Sequence, residues 1–202
     1  YTANLAAAQA LAGEMAHAVL DERAHRSLFD SARAAGLSIS LVPHRSPAGV
    51  AERLSGLDGP AVVMTDGVFT ADGAVAPLPG LLDALRPGDR LLVDDCHGFC
   101  VLGPGGRGTL AEFGVADERV VLTTTLAKGL GCGGGVIVGP RAFIDRVREG
   151  SSAFVCTTPI SPVVAAASRA ALRVLAGEPE RVTRLRGNAE MLRAVSESIV
   201  GY

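Results

Sequence analysis

The chain has 202 residues, 48% of them hydrophobic and 20% charged, with 19 lysines and arginines against 21 aspartates and glutamates. That apolar fraction excludes an intrinsically disordered chain, and the length is that of one generous domain or one and a fraction. A formal charge of −2 without a Lys/Arg cluster argues against a nucleic-acid-binding face, and no apolar run reaches the roughly 18 residues of a membrane span.

In chain order, spacing predicts a helix over 3–15, a strand over 17–20, a helix over 26–35, a strand over 38–42 and a helix over 47–55. A strand over 61–65, a helix over 78–85 and a strand over 90–94 follow. The glycine-rich run Gly103 to Thr109 has no helix or strand preference and reads as a loop. Strands over 119–124 and 135–138 precede helices over 141–148, 162–176 and 180–198. In the last of these, Val182, Leu185, Ala189, Leu192, Val195 and Ile199 keep helical spacing up to Gly201. The chain opens at Tyr1, inside what reads as the start of a helix, and is expected to be a piece of something longer. Alternating strands and helices predict an α/β three-layer sandwich with a mainly parallel central sheet. Cys96, Cys100, Cys132 and Cys156 form neither a CxxC pair nor a dense framework, so reduced thiols and no metal site are expected.

Open α/β sheets bind ligands at the carboxyl ends of their strands. The strand over 90–94 runs into Asp94-Asp95-Cys96-His97. An aspartate there is often only a helix cap, and a metal site would need further ligands at ligand spacing, which do not follow. The strand over 119–124 runs into Thr125 and Lys128, ahead of five glycines between 129 and 135. A lone lysine is usually solvent-facing, yet one directly behind a buried strand is not easily a solvated surface charge. Gly129, Gly131 and Gly134 match GxGxxG, but a strand follows where a dinucleotide site needs a helix; a phosphate loop of the Walker type needs Ser or Thr directly after the lysine. His25, by itself, reads as a cap or surface group at a helix start.

One cofactor, pyridoxal 5′-phosphate, requires all three. It needs a lysine to form an imine with its aldehyde, an aspartate to keep the ring nitrogen protonated, and an imidazole or aromatic plate over the ring. A cup of hydroxyls and N–H groups holds its phosphate. Lys128, Asp94 and His25 match the first three needs, and Thr125 and Thr70 are candidates for the cup. Partial burial is expected to lower the lysine's pKa, together with the nearby cationic ring.

The ordered series YTANL (1–5), HRSL (25–28), TDGVFTADG (65–73), APL (76–78), VDDCHG (93–98), LGPGGRG (102–108), TLAKGLG (125–131) and TT (157–158) resembles the α-oxoamine synthases. These are fold-type I pyridoxal phosphate enzymes. The resemblance implies their large domain over residues 1–176, with a long helix over 177–202 leading to a small domain that carries a substrate-clamping arginine. It implies that Lys128 is the imine lysine and general base, Asp94 the partner of the ring nitrogen, and His97 a donor to the ring's phenolic oxygen. His25 would stack on the ring and Thr70 would replace a family serine beside the cofactor. Thr125 and the Tyr1 backbone N–H would reach the phosphate, and Thr158 that of a neighbouring subunit. The implied protein is a cytoplasmic homodimer that condenses an amino acid with an acyl-CoA to an α-amino ketone. A non-catalytic or truncated partner subunit, and an aminotransferase or lyase of the same fold, are the alternatives. Ala24, Arg26, Phe99 and Cys100 depart from the family pattern near the expected substrate side, which leaves the acyl acceptor open.

Overall fold

Strands whose two faces are both apolar must be covered on both sides. The computed structural model describes the backbone of residues 1–200 and the side chains of residues 1–195. Gly201, to which the terminal helical pattern extends, and Tyr202 lie outside the described residues. Strands β1 (His17–Asp21), β2 (Ser38–Val42), β3 (Ala61–Asp66), β4 (Arg90–Asp94), β5 (Val120–Thr125) and β6 (Gly135–Val138) form one sheet in the order β2-β1-β3-β4-β5-β6. Every neighbouring pair is parallel except β5 and β6.

The helices are α1 (Thr2–Leu11), α2 (Arg26–Ala34), α3 (Pro47–Ser55), α4 (Leu78–Asp83), α5 (Thr109–Glu112), α6 (Arg141–Gly150), α7 (Ser152–Val155), α8 (Pro162–Gly177) and α9 (Glu180–Val200). Strand side chains divide by the period of two. Ala18, Leu20, Val62, Met64 and Leu92 pack with α1, α2 and α6, whereas Val19, Val63, Leu91 and Val93 pack with α3 and α4. Each of the valine, leucine and methionine side chains among them contributes about 1.5–3 kcal/mol relative to exposure. The expected α/β three-layer sandwich is therefore present.

Three differences from the expected elements have local causes. Helix α1 ends at Leu11, and the turn after it contains Gly13, a poor helix former. Helix α4 ends at Asp83, because Pro87 disfavours helical backbone at Arg86. The run expected as a loop holds a 3-10 turn at Pro104–Gly106 and leads into α5, which like α7 is too short to show periodicity. On α9, Val182 is buried while Leu185, Leu192 and Val195 are exposed, so its spacing predicts the helix but not the burial of its apolar face. Among the described residues no helix is long and apolar enough to cross a membrane.

Helix α1 reaches the sheet closely because both surfaces are small. Ala6, Ala7 and Ala8 are buried, and a Cβ on Gly135 would stand 2.9 Å from the Ala3 Cβ. That approach brings Asn4 to the carboxyl edge of the strands.

Candidate active site

Parallel register places acids side by side: Asp66 pairs with Asp94, and Asp94 with Thr123. Asp94 is buried and its carboxylate is oriented from both sides. Asn4 Nδ2 donates to Oδ2 at 2.6 Å, and the Cys96 N–H donates to Oδ1 at 3.1 Å. Asn4 is itself held by the Thr123 hydroxyl, which donates to its Oδ1 at 2.5 Å, and Asn4 Nδ2 lies 2.8 Å from Ser27 Oγ. Three elements thus fix the direction of one carboxylate.

Lys128 stands at the same edge, its Nζ 2.7 Å from His97 Nε2. It is exposed, in contrast to the partial burial expected, because it projects from a loop whose neighbours include Gly129 and Gly131. Burial first, and the Lys128 ammonium second, hold the His97 imidazolium below its ordinary range. The neutral ring therefore accepts a hydrogen bond from Lys128.

His25 is the N-cap of α2, as the bland reading of a helix-start histidine has it, and its side chain accepts from the Ser27 N–H. Its Nδ1 is also 2.7 Å from Ser27 Oγ, which fixes the ring while leaving the residue exposed. The His25 backbone N–H donates to Asp66 Oδ2 at 2.6 Å. Structure thus ties the β1–α2 turn to the end of β3.

Asp66 was not singled out by the sequence, although it ends a strand just as Asp94 does. Burial pushes its carboxyl up to about 7, with the charges of Asp94 and Asp21 adding to the effect and the His25 N–H opposing it. Burial likewise pushes Asp95 up to about 6 against the hydrogen bonds from Thr109, and pushes the Cys96 thiol up to about 12, with Asp94 reinforcing it. Asp95 receives the Thr109 N–H at 2.9 Å and the Thr109 hydroxyl. Glycines from three of the sequence motifs close on this pair. A Cβ at Gly67 would come within 2.6 Å of Asp95 Oδ1, and one at Gly98 or Gly108 would overlap the same carboxylate. These glycines are required by the close packing around Asp95.

A pH dependence follows from Asp66 and Asp95. In the fold both retain protons at pH values where the unfolded chain, with ordinary carboxyls near 3.8, has released them. Their contribution to stability is full below that unfolded value and is lost as pH rises through about 6 and about 7. Urea unfolding is expected to show this decline between about pH 4 and pH 7, and Asp66→Asn to remove its upper part.

Thr125 ends β5, and its hydroxyl accepts from the Ala127 N–H at 3.1 Å, directly before Lys128. Thr70 is exposed on the turn after β3. Tyr1 caps α1 through its backbone, with its carbonyl accepting the Leu5 N–H. Thr158 is exposed between α7 and α8, and no hydrogen bond among the described residues joins it to the Asp94–Lys128 edge. Of the departures, Cys100 is buried in the left-handed region at φ 69° and abuts Gly129, where a Cβ would lie 2.5 Å from its own Cβ. Arg26 is exposed and pairs with Asp30 at 3.0 Å. A cavity of about 460 Å³ between α5, β5, β6 and α8 touches Asp95 and Thr124 but not Lys128. The chemistry gathers at the strand edge, outside that cavity.

Sequence reasoning also missed Asn4. Its signal was an amide set among the small and apolar residues of TANLAAAQAL, where a buried polar group implies a partner.

Residues 1–200 match the family described as aminotransferase class I and II. The 8-amino-7-oxononanoate synthase of Mycolicibacterium gilvum (strain PYR-GCK) is 43% identical over 198 residues, covering 96% of this chain and 52% of the relative. The enzyme of that name from Mycobacterium tuberculosis (strain ATCC 25177 / H37Ra) is 45% identical over 184 residues, covering 90% and 47%. A serine palmitoyltransferase from S. paucimobilis, solved with a bound PLP-myriocin aldimine, is 28% identical with a TM-score of 0.87, covering 94% of this chain and 48% of that one. The chain spans about half the length of the curated relatives it matches. With its sheet order, its strand-edge constellation and these matches together, the chain belongs to the aminotransferase class I and II family, and its similarity within that family runs to α-oxoamine synthases.

Proposed function

We propose that this chain is the cofactor-binding large domain, residues 1–176, of a pyridoxal phosphate-dependent C-acyltransferase, with residues 177–202 leading toward a further domain. Its reaction would condense an amino acid with an acyl-CoA to an α-amino ketone. The observation that carries this reading is the meeting of the exposed Lys128 amine, beside His97, with the buried and doubly oriented Asp94 at one strand edge. The donor set fits the cofactor, since it combines a reachable amine, a fixed carboxylate and two imidazoles. When bound, pyridoxal 5′-phosphate supplies an aldehyde that takes up an amine and a heterocycle that withdraws electrons from the amino acid's Cα.

The residues divide the remaining work. Lys128 moves a proton at Nζ, acting as the base toward the substrate Cα–H, and His97 Nε2 orients that amine. Asp94 presents the carboxylate that a protonated ring nitrogen needs, in a direction that Asn4 and Cys96 have already set. His97 would also orient the cofactor's phenolic oxygen. His25, fixed by Ser27, offers an imidazole face that excludes water from one side of the ring. Thr70, Thr125 and the Tyr1 N–H bind phosphate oxygens. Thr158 serves the site of a second copy, which makes the protein a homodimer with shared sites. The exposed Phe154, Val155 and Ile160 around it support that reading, since such apolar patches mark interfaces. The names of the relatives support an acyl-transferring synthase over an aminotransferase or lyase, and the complete Lys128–His97–Asp94 set supports an enzyme over a non-catalytic partner subunit. A cytoplasmic setting is part of the same reading.

The test is borohydride reduction of the full-length protein with pyridoxal phosphate, then peptide mass spectrometry. The expected results are a pyridoxyl adduct on Lys128 and, with the unreduced protein, amino-acid-dependent release of free coenzyme A thiol from acyl-CoA. An unmodified Lys128 would overturn the proposal; an adduct without thiol release would favour the aminotransferase, lyase or partner-subunit alternatives.

A further inference from the structure

Away from the lysine, the ends of β1, β2 and β3 carry a second charged cluster, centred on His44. We propose that His44 is a positioning residue: clamped between Asp21 and Asp72, it locks the turn that carries Thr70 against the turn that carries His25. The functional consequence rests on the cofactor reading above; the clamp itself does not.

The argument starts at Asp21, a buried acid at the end of β1. His44 Nδ1 lies 2.9 Å from Asp21 Oδ1. The same carboxylate accepts the Arg23 N–H at 2.9 Å and the Arg45 N–H at 2.7 Å, and the His44 N–H donates to Glu22 Oε1 at 3.2 Å. The β2–α3 loop is thereby fastened to the segment leading to His25, whose own path is set by the Ala24 N–H on the Asp21 carbonyl at 3.0 Å.

The other side of the imidazole faces the turn after β3. His44 Nε2 lies 3.4 Å from Asp72 Oδ2, buried and without a hydrogen-bond partner among the described residues. The ring meets Phe69 edge-on, with centroids 4.4 Å apart at 82°, and Phe69 is 1% exposed. Arg23 Nη1 adds a contact to Asp72 Oδ2 at 3.3 Å. Arg45 adds another, donating from Nε to the Val75 carbonyl at 2.9 Å. Arg45 does so from the left-handed region, at φ 54°, which a side chain bearing a Cβ disfavours. That conformation is held by its bonds to Asp21 and Val75.

The turn itself has a backbone frame: Phe69 N–H to the Ala74 carbonyl, Gly73 N–H to the Phe69 carbonyl and Ala76 N–H to the Gly67 carbonyl, each 2.9 Å. Residues 70–73 between these bonds are exposed. Exposed tips with few contacts open easily. The cluster therefore supplies what the tip lacks, an anchor at Asp72 between Thr70 and Gly73. Because the same cluster sets the path to His25, and the His25 N–H bonds Asp66 at the root of this turn, both site turns are located by one imidazole.

The test uses the full-length protein with three variants. His44→Phe keeps a ring against Phe69 and removes the polar ties, Asp72→Asn removes the charge at the tip, and the double variant closes a cycle. Amide hydrogen exchange of residues 70–74, measured without cofactor, is expected to rise about tenfold in each single variant. That is the size of one lost charge-assisted contact, and the double variant should show no further rise. Pyridoxal phosphate affinity, measured by absorbance titration, is expected to fall by a similar factor, while His44→Gln recovers part of both. Unchanged exchange, or effects that add in the double variant, would overturn the clamp. Faster exchange with unchanged affinity would overturn its positioning role. Failure of the unsubstituted protein to bind pyridoxal phosphate would instead overturn the cofactor reading, with the exchange result still deciding the clamp.

Discussion

Replacing Lys128 by alanine is expected to lower acyl-CoA-dependent turnover by at least about 10³-fold while leaving the fold intact. A positioned general base alone contributes roughly 10²- to 10⁴-fold, and this variant also loses the amine that would anchor the cofactor. Stability should change little, within about 0.5 kcal/mol, because Lys128 is exposed and its amine contacts only the half-buried His97 among the described residues. Lys128→Arg separates chemistry from charge. A guanidinium preserves the cation beside His97 but does not give up a proton at working pH, so it too should be inactive. The alanine variant alone should move the His97 pKa upward by removing the ammonium that depresses it, which proton NMR of the imidazole would detect. Activity within tenfold of the unsubstituted protein in both variants would remove Lys128 from the chemistry.

The second large effect is expected at Asp94, where activity and stability should part company. Losing one member of a buried ion pair costs about 3–5 kcal/mol, so Asp94→Asn is expected to reduce turnover by roughly 10²- to 10⁴-fold. Without cofactor, the Asp94 charge raises the carboxyls of Asp66 and Asp95 through repulsion and, among the described residues, has no cation in hydrogen-bond contact. Its removal relieves that repulsion, while the new amide accepts from only one of the Asn4 and Cys96 donors, so the two effects offset and the apo melting temperature should change little. Thermal melts with and without pyridoxal phosphate would show this as a loss of the cofactor-induced shift. A variant that melts well below the unsubstituted protein before any cofactor is added would point to a purely structural Asp94.

The strand-edge rule that led to Asp94 could equally have led to Asp66, since TD closes β3 as VD closes β4. A single acid at a strand end has no partner in the sequence that distinguishes it from a cap, so Asp66 is not legible there as a site residue. The glycines of the three motifs were legible only as turns or close approaches. That Gly67, Gly98 and Gly108 converge on one Asp95–Thr109 pair depends on loops 41 residues apart meeting in space. His44 drew no attention for the same reason: its partners lie 23 and 28 residues away.

Periodicity and turn chemistry are local, so the chain order alone dictated six strands, every helix but the short α5 and α7, and a mainly parallel sheet. The Lys128, Asp94 and His25 positions were readable because each follows a strand, and strand ends share an edge in any such sheet. Tertiary packing alone decided that Asn4 orients Asp94, that Lys128 is exposed rather than partly buried, and which apolar residues of α9 are covered. Burial and hydrogen-bond direction are set by what other segments bring near, and a sequence records only which residues are available to meet.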